Sequence, residues 1–323
     1  MISYIIRRVL YMIPLLILIS VVSFTVIQLQ PGEFGSQHFA NPRIAPETVD
    51  AMRERLGLDQ PAYRQYLNWV RGIVTEGNFG YSFTYRRPVS ELIWERMAWT
   101  VIIAASTMLF TWTLAIPIGI YSATHKYTFF DHFFTFFGFL GISIPNFFLA
   151  LILMFIVLSL GGTSVGGLFS PEYIGAPWSW DKFVDLLKHI WIPIVAIGTA
   201  GTAGILRQMR GNLLDVLGEQ YIQTARSKGL TERVVIYKHA VRNAINPLIS
   251  LMGMQLPQLI SGTIISAIVL NLPTMGPFFY DALQNHDQYL VMTFLMFSAF
   301  LLLLGNLIAD ILLAAIDPRI RYE

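Results

Sequence analysis

The sequence has no cysteine and little charge. Of its 323 residues only 13% are charged, whereas 54% are hydrophobic. Without cysteine the chain can form neither disulfides nor thiolate metal sites, and it has no thiolate nucleophile. Soluble globular domains carry about 25% charged residues, so this chain has too few ionic groups to cover a surface in water. The net charge of +2 gives no electrostatic basis for binding nucleic acid. These absences exclude an ordinary soluble enzyme and indicate a protein of the lipid bilayer.

The sequence also lacks the motifs of nucleotide hydrolysis and of metal catalysis. No Gly-Lys dipeptide occurs, so the chain has no P-loop, and any nucleotide hydrolysis must occur on another chain. The six histidines are scattered, without an H-x-x-x-H pair or a carboxylate cluster. We therefore expect no catalytic residue, no cofactor and no metal in this chain.

Six apolar runs are each long enough to cross a membrane as a helix, which needs about 20 residues. The first five contain no Asp, Glu, Lys, Arg or His. One hypothesis for an apolar chain of this kind is an ion-coupled secondary transporter. Such a transporter usually has an ionisable group near mid-membrane. The lack of charged side chains in the first five runs counts against this hypothesis. The predicted fold is an all-α polytopic membrane protein with six transmembrane helices. These spans cover Val9–Leu29, Ala98–Ala123, Phe133–Leu160, Ile190–Leu206, Leu248–Leu272 and Val291–Ala309, the last with a weaker extension to Ile316.

Basic residues are distributed unevenly between the spans. Segment 207–247 holds seven Lys and Arg residues, whereas loops 162–189 and 273–290 together hold only Lys182 and Lys188. Short loops rich in Lys and Arg stay in the cytoplasm. We therefore predict that both termini and segment 207–247 are cytoplasmic.

The positions of the apolar runs and of the basic residues divide the chain into three predicted parts. Residues 1–30 form the cytoplasmic end and the first transmembrane helix, 31–97 form an extracytoplasmic helical segment, and 98–323 form a five-helix transmembrane core. In the middle part, Pro46-Glu47 is typical of a helix start. A second amphipathic helix is predicted there from apolar side chains at helical spacing. They are Tyr63, Tyr66, Leu67 and Val70.

Segment 207–247 contains two narrow apolar stripes. The first predicts one helix that carries Leu214, Leu217, Tyr221 and Ala225. Gly229 is predicted to end it. Thr231 is predicted to cap a second helix, whose stripe is Val234, Val235, Tyr237, Val241 and Ala244. Faces this narrow need a partner, which is either the inner ends of the spans or another protein. A helix lying on lipid would need a more basic face.

Residues 219–230 read EQYIQTARSKGL and are followed by His239-Ala240 and Arg242-Asn243-Ala244. This pattern resembles the EAA loop of binding-protein-dependent ABC importer permeases. It is most similar to the first (B-type) permease subunit of the oligopeptide/dipeptide/nickel family. Five further segments match that branch in the same order: IIRRVL at 5–10, LGLDQP at 56–61, GNFGYS at 77–82, SIPNF at 143–147 and DPRIR at 317–321.

The resemblance implies a type I ABC importer permease in a prokaryotic inner (cell) membrane. It implies a heterodimer with a second homologous permease, two ATPase subunits that bind ATP and Mg²⁺, and an extracytoplasmic substrate-binding protein. The EAA helix would dock in a groove of an ATPase, and ATP-driven closure would switch the bundle between inward-open and outward-open states. The coupling residues that it implies are Glu219, Gln220, Tyr221, Thr224, Ala225, Arg226, Ser227, Lys228 and Gly229.

The resemblance implies peptides as the substrate class, with one departure. Peptide-type members usually have a Glu in the fifth span and a Pro-Gly-x-Gly turn after it, where this chain has Ser266 and Pro273-Thr274-Met275-Gly276. Residues 268–277 resemble instead a branch associated with uptake of oligosaccharides such as α-galactosides. Oligosaccharide import therefore stays an alternative, and a nickel complex also stays open.

The fifth span offers uncharged hydrogen-bonding side chains for a translocation path. The same groups can hydrogen-bond between helices, where such a bond contributes about 0.6 kcal/mol on average. Both interpretations stay open at this point. The candidate path residues are Gln255, Gln258, Ser261 and Ser266.

Overall fold

The computed structural model describes residues 2–29, 54, 59–82, 84–162, 166–261 and 263–316. Within these ranges the chain is mostly helical, with one short antiparallel ladder between β1 and β2. The N-terminal half contains α1 (Ile2–Gln28), α2 (Ala62–Glu76), β1 (Tyr81–Ser82), β2 (Arg87–Pro88), α3 (Val89–Thr124), α4 (Phe129–Ser143) and α5 (Asn146–Ser159). A 3-10 turn (Pro171–Tyr173) leads to α6 (Trp180–Leu217), α7 (Gln220–Ser227), α8 (Glu232–Val234), the π-helix π1 (Val235–Ala240), α9 (Val241–Ala244), α10 (Asn246–Ser261), α11 (Ile264–Val269), α12 (Met275–Gln284) and α13 (Gln288–Ile316).

The chain divides into two compact units. The first comprises Met1–Ile5, Val101–Leu272 and Leu302–Glu323, and the second comprises Ile6–Thr100 and Pro273–Leu301. The candidate site lies in the first unit.

Among the described residues, four helices are long and apolar enough to cross a membrane, namely α1, α3, α6 and α13. The pair α4 and α5 would make a fifth span, but the two helices are bent by 103° at their junction. The prediction of one continuous helix over Phe133–Leu160 is therefore wrong. Pro145 explains the bend, because it has no N–H to donate and disfavours a helical conformation at Ile144. Ile144 is indeed extended, with φ −89° and ψ 121°.

The predicted fifth span, Leu248–Leu272, is also not one helix. The structure has α10 and then the six-residue α11, and neither passes as a membrane span by itself. Thr263 lies at the interruption with φ −112° and ψ 8°. Its hydroxyl donates to the carbonyl of Leu259, which provides a local hydrogen bond where the helical pattern is broken.

Helix α6 is much longer than the predicted span Ile190–Leu206. Its 38 residues extend for about 57 Å at 1.5 Å per residue, nearly twice the thickness of the hydrocarbon layer. It begins after Ser179, whose hydroxyl accepts a hydrogen bond from the backbone N–H of Lys182 at 3.2 Å. The C-terminal part of α6 therefore reaches past any membrane that its apolar middle crosses, and it carries the candidate site.

Glycines bring α3 and α6 into close contact. A Cβ built on Gly119 would lie 2.8 Å from Cβ of Met209, and a Cβ on Gly198 would lie 2.7 Å from the ring of Phe110. Both distances are too short for real side chains, so only glycine permits this packing.

The second unit contains the β1–β2 ladder, in which Tyr81 pairs with Pro88. Two carboxylates fix the turn of this ladder. Asp287 accepts a hydrogen bond from the Ser82 hydroxyl at 2.5 Å, and Asp281 accepts one from the Tyr85 hydroxyl at 2.6 Å. Partial burial, followed by the bond to Asp281, raises the pKa of Tyr85 above its usual range.

Helix α2 in the same unit confirms the predicted second helix but not its predicted stripe, because Tyr63 and Leu67 are exposed. Its buried face carries Trp69, which donates from Nε1 to the Phe79 carbonyl at 3.1 Å. Tyr66 shares a hydrogen bond of 2.8 Å with the hydroxyl of Ser20 in α1. The helix predicted to start at Pro46-Glu47 lies outside the described residues.

Candidate functional site

The segment from Glu219 to Ala244 forms a helical hairpin, called here the 219–244 hairpin. Its first arm is α7, and its second arm consists of α8, π1 and α9. Gly229 lies between the arms with φ +74°, in the left-handed region that favours glycine. The predicted stop at Gly229 is thus confirmed. Thr231 occupies the predicted N-cap position of the second arm, but its side chain makes no capping hydrogen bond.

The inner face of the hairpin carries buried apolar side chains. Ile222 of the first arm is completely buried, and so are Val235 and Ala240 of the second. These side chains belong to one apolar cluster with the ends of α3 and α6. From those two helices the cluster includes Ala115, Ile120, Ala123, Ile205, Leu206, Met209 and Leu213. The hairpin is therefore held rigidly against two of the long apolar helices.

The predicted stripes are wrong in detail. The first stripe requires one helix through Leu214 and Tyr221, but α6 ends at Leu217 and a new helix starts after Glu219. As a result Tyr221 is exposed and Ile222 takes the buried position.

In the second arm Val234 and Tyr237 are exposed, whereas Val235, Ala240 and Ala244 are buried. The π-helix explains the difference, because its wider turn brings residues five apart onto one face. A stripe drawn at spacings of three and four assumed a regular α-helix.

Polar contacts close the hairpin at its edges. Arg226 donates to Glu232 across the turn at 2.7 Å, and Asn243 donates to the Tyr221 hydroxyl at 3.0 Å. The hydrogen bond from Arg226 holds the pKa of Glu232 below its usual range. Both partners of this pair are substantially exposed, so the pair contributes less than about 1 kcal/mol. Its role is to fix the geometry of the turn.

The outer face of the first arm is open to solvent. Ala225 is the exception among the predicted coupling residues, because it is buried in the apolar cluster, and Arg226 is half-buried. The remaining predicted residues are exposed: Glu219, Gln220, Tyr221, Thr224, Ser227, Lys228 and Gly229. Seven of the nine predicted residues are therefore accessible.

One buried ion pair beside the hairpin was not predicted. Arg210 of α6 donates from Nε and Nη2 to the two carboxylate oxygens of Asp131 in α4, at 2.8 and 2.9 Å. Asp131 is almost fully buried and also accepts from the backbone N–H of Tyr127 at 2.9 Å. The partners are 79 residues apart, so no local spacing could reveal them. The sequence shows only that Asp131 and Arg210, which have opposite charges, each lie next to an apolar run.

The candidate path residues do not form one observed surface. Gln255 is half-buried and accepts a hydrogen bond from Nε1 of Trp112 at 2.9 Å, which is a contact between helices. Gln258 is exposed, and Ser266 is buried on the separate helix α11. The side chain of Ser261 lies outside the description.

In the described part of the chain, no group of three or more His, Asp or Glu side chains could hold a metal ion.

The chain is similar to known membrane transport proteins over its whole length. Residues 115–322 match the family described as binding-protein-dependent transport system inner membrane component, and residues 1–104 match its N-terminal domain. The oligopeptide transport system permease protein AppB of Bacillus subtilis is 37% identical, with both chains covered completely. The dipeptide permease DppB and the glutathione permease GsiC of Escherichia coli are each 32% identical, also over the whole of both chains. The chain belongs to the family of binding-protein-dependent transport system inner membrane components.

Proposed function

We propose that this chain is one permease subunit of an ATP-driven importer and that the 219–244 hairpin receives the force from an ATPase. The observation that supports this most is the division between the two faces of the hairpin. Its inner face shares one buried apolar cluster with α3 and α6, and its outer face is accessible. A push on the outer face would thus move two apolar helices together with the hairpin.

The proposed assembly follows the family. A second homologous permease completes the translocation unit, two ATPase subunits bind ATP and Mg²⁺, and an extracytoplasmic binding protein delivers the substrate. Both termini and the hairpin are cytoplasmic, and residues 31–97 are extracytoplasmic. The lysines and arginines of segment 207–247 support this orientation.

Six spans are proposed: α1, α3, α6, α13 and the bent pair of α4 and α5, with α10 and α11 together as the sixth. Helices α10 and α11 contain 16 and 6 residues, which would extend for about 33 Å as helix, close to the roughly 30 Å of a bilayer core. Broken helices are tolerated at membrane depth where they are buried in protein or line a cavity. This supports a place for the interrupted helix inside the transporter.

Peptides are the proposed substrate class, because AppB, DppB and GsiC are named for oligopeptides, dipeptides and glutathione. Oligosaccharides are the second candidate, since the uncharged and buried Ser266 stands where the peptide-type pattern has a glutamate. Uptake of a radiolabelled tripeptide is compared with that of a labelled α-galactoside in cells with and without this chain. Peptide uptake that depends on the chain would support the first candidate, and sugar uptake that depends on it would replace it.

Gly229→Val is expected to weaken coupling between ATP hydrolysis and uptake. A valine with positive φ costs about 1–2 kcal/mol, and the turn would relax away from φ +74°. No atom lies within 4 Å of the position of a Cβ there, so backbone strain is the only direct effect. The measurement is the ratio of substrate imported to ATP hydrolysed in proteoliposomes that contain the whole complex.

Two controls separate coupling from general strain. Gly77 has φ +64° and equally open surroundings but lies in the second unit, so Gly77→Val carries the same strain elsewhere. Gly229→Asn restores a residue that tolerates this conformation. Wild-type coupling in Gly229→Val, or an equal loss in Gly77→Val, would refute the role of this turn.

Gln258→Leu is expected to lower transport severalfold while leaving assembly unchanged. Gln258 is exposed in α10 and makes no hydrogen bond to the described residues. An amide that faces hydrocarbon without a hydrogen-bond partner is energetically costly. We therefore propose that the Gln258 side chain faces the path or the second permease. Gln255→Leu is the comparison, because it leaves the indole N–H of Trp112 unpaired and should lower stability as well. Unchanged transport in both variants would remove these residues from the path.

A further inference from the structure

Helix α2 has three faces of different character. The inner face carries Tyr66, Trp69 and Ile73, which are buried or half-buried. The polar face carries exposed side chains at spacings of four, three and four: Arg64, Asn68, Arg71 and Thr75. Between these two faces lies an apolar one, called here the α2 stripe, which consists of Tyr63, Leu67, Val70 and Val74. Residues three and four apart lie on one side of a helix, so the stripe is one continuous surface.

The α2 stripe is exposed although it is apolar. Tyr63, Leu67 and Val74 are 61%, 58% and 78% exposed, and Val70 is half-buried. Single apolar residues at a protein surface need no explanation, but a contiguous apolar patch marks a surface that contacts something. The inner face of α2 already packs within the chain, so the stripe needs a separate apolar environment.

The contacts of the inner face show where α2 lies along the first membrane span. The Tyr66 hydroxyl shares a hydrogen bond of 2.8 Å with Ser20, and the Tyr66 ring meets the Phe24 ring edge-on at a centroid distance of 5.5 Å. Residues Ile5–Gln28 of α1 are long and apolar enough to cross a membrane. At 1.5 Å per residue, Ser20 and Phe24 lie about 12 Å and about 6 Å before the end of that span. Helix α2 therefore packs onto the apolar length of α1.

This level agrees with the depth of a helix that lies in a membrane surface. Such a helix buries its apolar face about 5–10 Å into the boundary between headgroups and acyl chains. The neighbouring α1 side chains Val21, Val22 and Val26 are also exposed, as expected for a span that is surrounded by lipid. Because α2 packs onto α1 at the same level, a partner in aqueous solution cannot reach the stripe without displacing that lipid.

The polar face of α2 has the composition of the headgroup side of the same boundary. Both of its charged residues, Arg64 and Arg71, are basic, and the Arg64 guanidinium carbon lies 5.9 Å from the centroid of the Tyr63 ring. Helices in a membrane surface carry Lys and Arg on their polar face, and tyrosine is enriched at this boundary. A long arginine side chain covers apolar surface with its stem while its charge reaches water or phosphate.

We propose that α2 lies in the outer surface of the membrane, with the α2 stripe among the lipid acyl chains and Arg64 and Arg71 at the phospholipid headgroups. The word outer rests on the orientation given under the proposed function. The contact of the stripe with lipid depends only on α1 being a membrane span. Helix α2 would then fix the extracytoplasmic segment to the bilayer at the end of α1 and leave its polar face in contact with water.

The test uses the absence of cysteine from the chain, because one introduced cysteine then carries a fluorophore without background labelling. Leu67→Cys and Val74→Cys place the fluorophore on the stripe, and Asn68→Cys and Thr75→Cys place it one residue away on the polar face. All four positions are exposed, so no buried contact is lost. Each labelled full-length chain is reconstituted with the second permease into liposomes of phosphatidylethanolamine and phosphatidylglycerol. Quenching by a lipid with a nitroxide on its acyl chain is compared with quenching by aqueous iodide.

Because only the apolar face is buried in lipid, we expect the nitroxide to quench the two stripe labels at least about twofold more than the two polar-face labels. Iodide should give the reverse order. Equal quenching of stripe and polar-face labels would overturn the proposal. So would stripe labels that neither quencher reaches, or that the binding protein shields when it is added, since protein would then cover the stripe.

A separate measurement tests the orientation. A membrane-impermeant thiol reagent applied from the extracytoplasmic side should modify Asn68→Cys. Modification only from the cytoplasmic side would contradict the orientation given under the proposed function and the word outer, whereas the quenching result would still decide whether the stripe contacts lipid.

Discussion

Arg210→Gln is expected to lower the thermal unfolding midpoint of the purified chain by roughly 4–5 °C, the shift that a loss of about 3 kcal/mol causes in a chain of this length. The substitution leaves the carboxylate of Asp131 buried without the two hydrogen bonds of 2.8 and 2.9 Å that Arg210 donates. Removing one partner of a buried pair typically costs 3–5 kcal/mol. Because the Arg210 side chain is 26% exposed, we expect a loss of about 3 kcal/mol, the lower end of that range.

Arg207→Gln is the matched control for this prediction. Arg207 lies on the same helix, three residues earlier, and is exposed. Surface substitutions usually change stability by no more than about 0.5 kcal/mol, so its unfolding midpoint should stay near that of the wild type. The double variant with Asp131→Asn removes both charges and should recover part of the loss, since no buried charge is left unpaired. Equal midpoints for Arg210→Gln and Arg207→Gln would show that the pair is not a stabilising contact.

The sequence predicts the helical class, the hairpin and its turn, because each depends on local chemistry. These local signals are the apolar runs, the glycine between two amphipathic stretches and the distribution of Lys and Arg. Each can be recognised from residues that are close in sequence. Gly229 was identified correctly for this reason. Its left-handed backbone follows from the residue type, independently of what packs around it.

What the sequence does not predict depends on tertiary contacts. The pair of Arg210 and Asp131 and the bond of Trp112 to Gln255 join residues that are 79 and 143 positions apart. The break after Leu217 and the π-helix at Val235–Ala240 also could not be predicted from periodicity, because a stripe at helical spacing assumes an uninterrupted α-helix. Both irregularities place small or branched apolar side chains against the ends of α3 and α6, so packing selects them over local preference.

Gly253→Ala is expected to abolish the folded chain or to reduce its yield severely. In the structure α10 and α13 cross with their backbones in contact. A Cβ on Gly253 would lie 2.7 Å from Cα and from the backbone nitrogen of Asn306, and one on Gly305 would lie 2.6 Å from the carbonyl oxygen of Gly253. A flexible side chain could move away, but these are backbone atoms, so the two helices themselves must separate. We expect a cost of about 3 kcal/mol, the upper end for an overpacked core.

The sign of the effect makes this prediction testable. Alanine in place of glycine within a helix normally stabilises it by about 0.5–1 kcal/mol. Gly204 and Gly211 lie in α6 with no atom within 4 Å of a Cβ, so Gly204→Ala and Gly211→Ala should be neutral or stabilising. Gly253→Ala and Gly305→Ala should both destabilise, although all four substitutions add the same methyl group. The readout is the monodisperse fraction in size-exclusion chromatography of a fluorescent fusion after heating. Four equal results would mean that the backbones of α10 and α13 do not meet at these glycines.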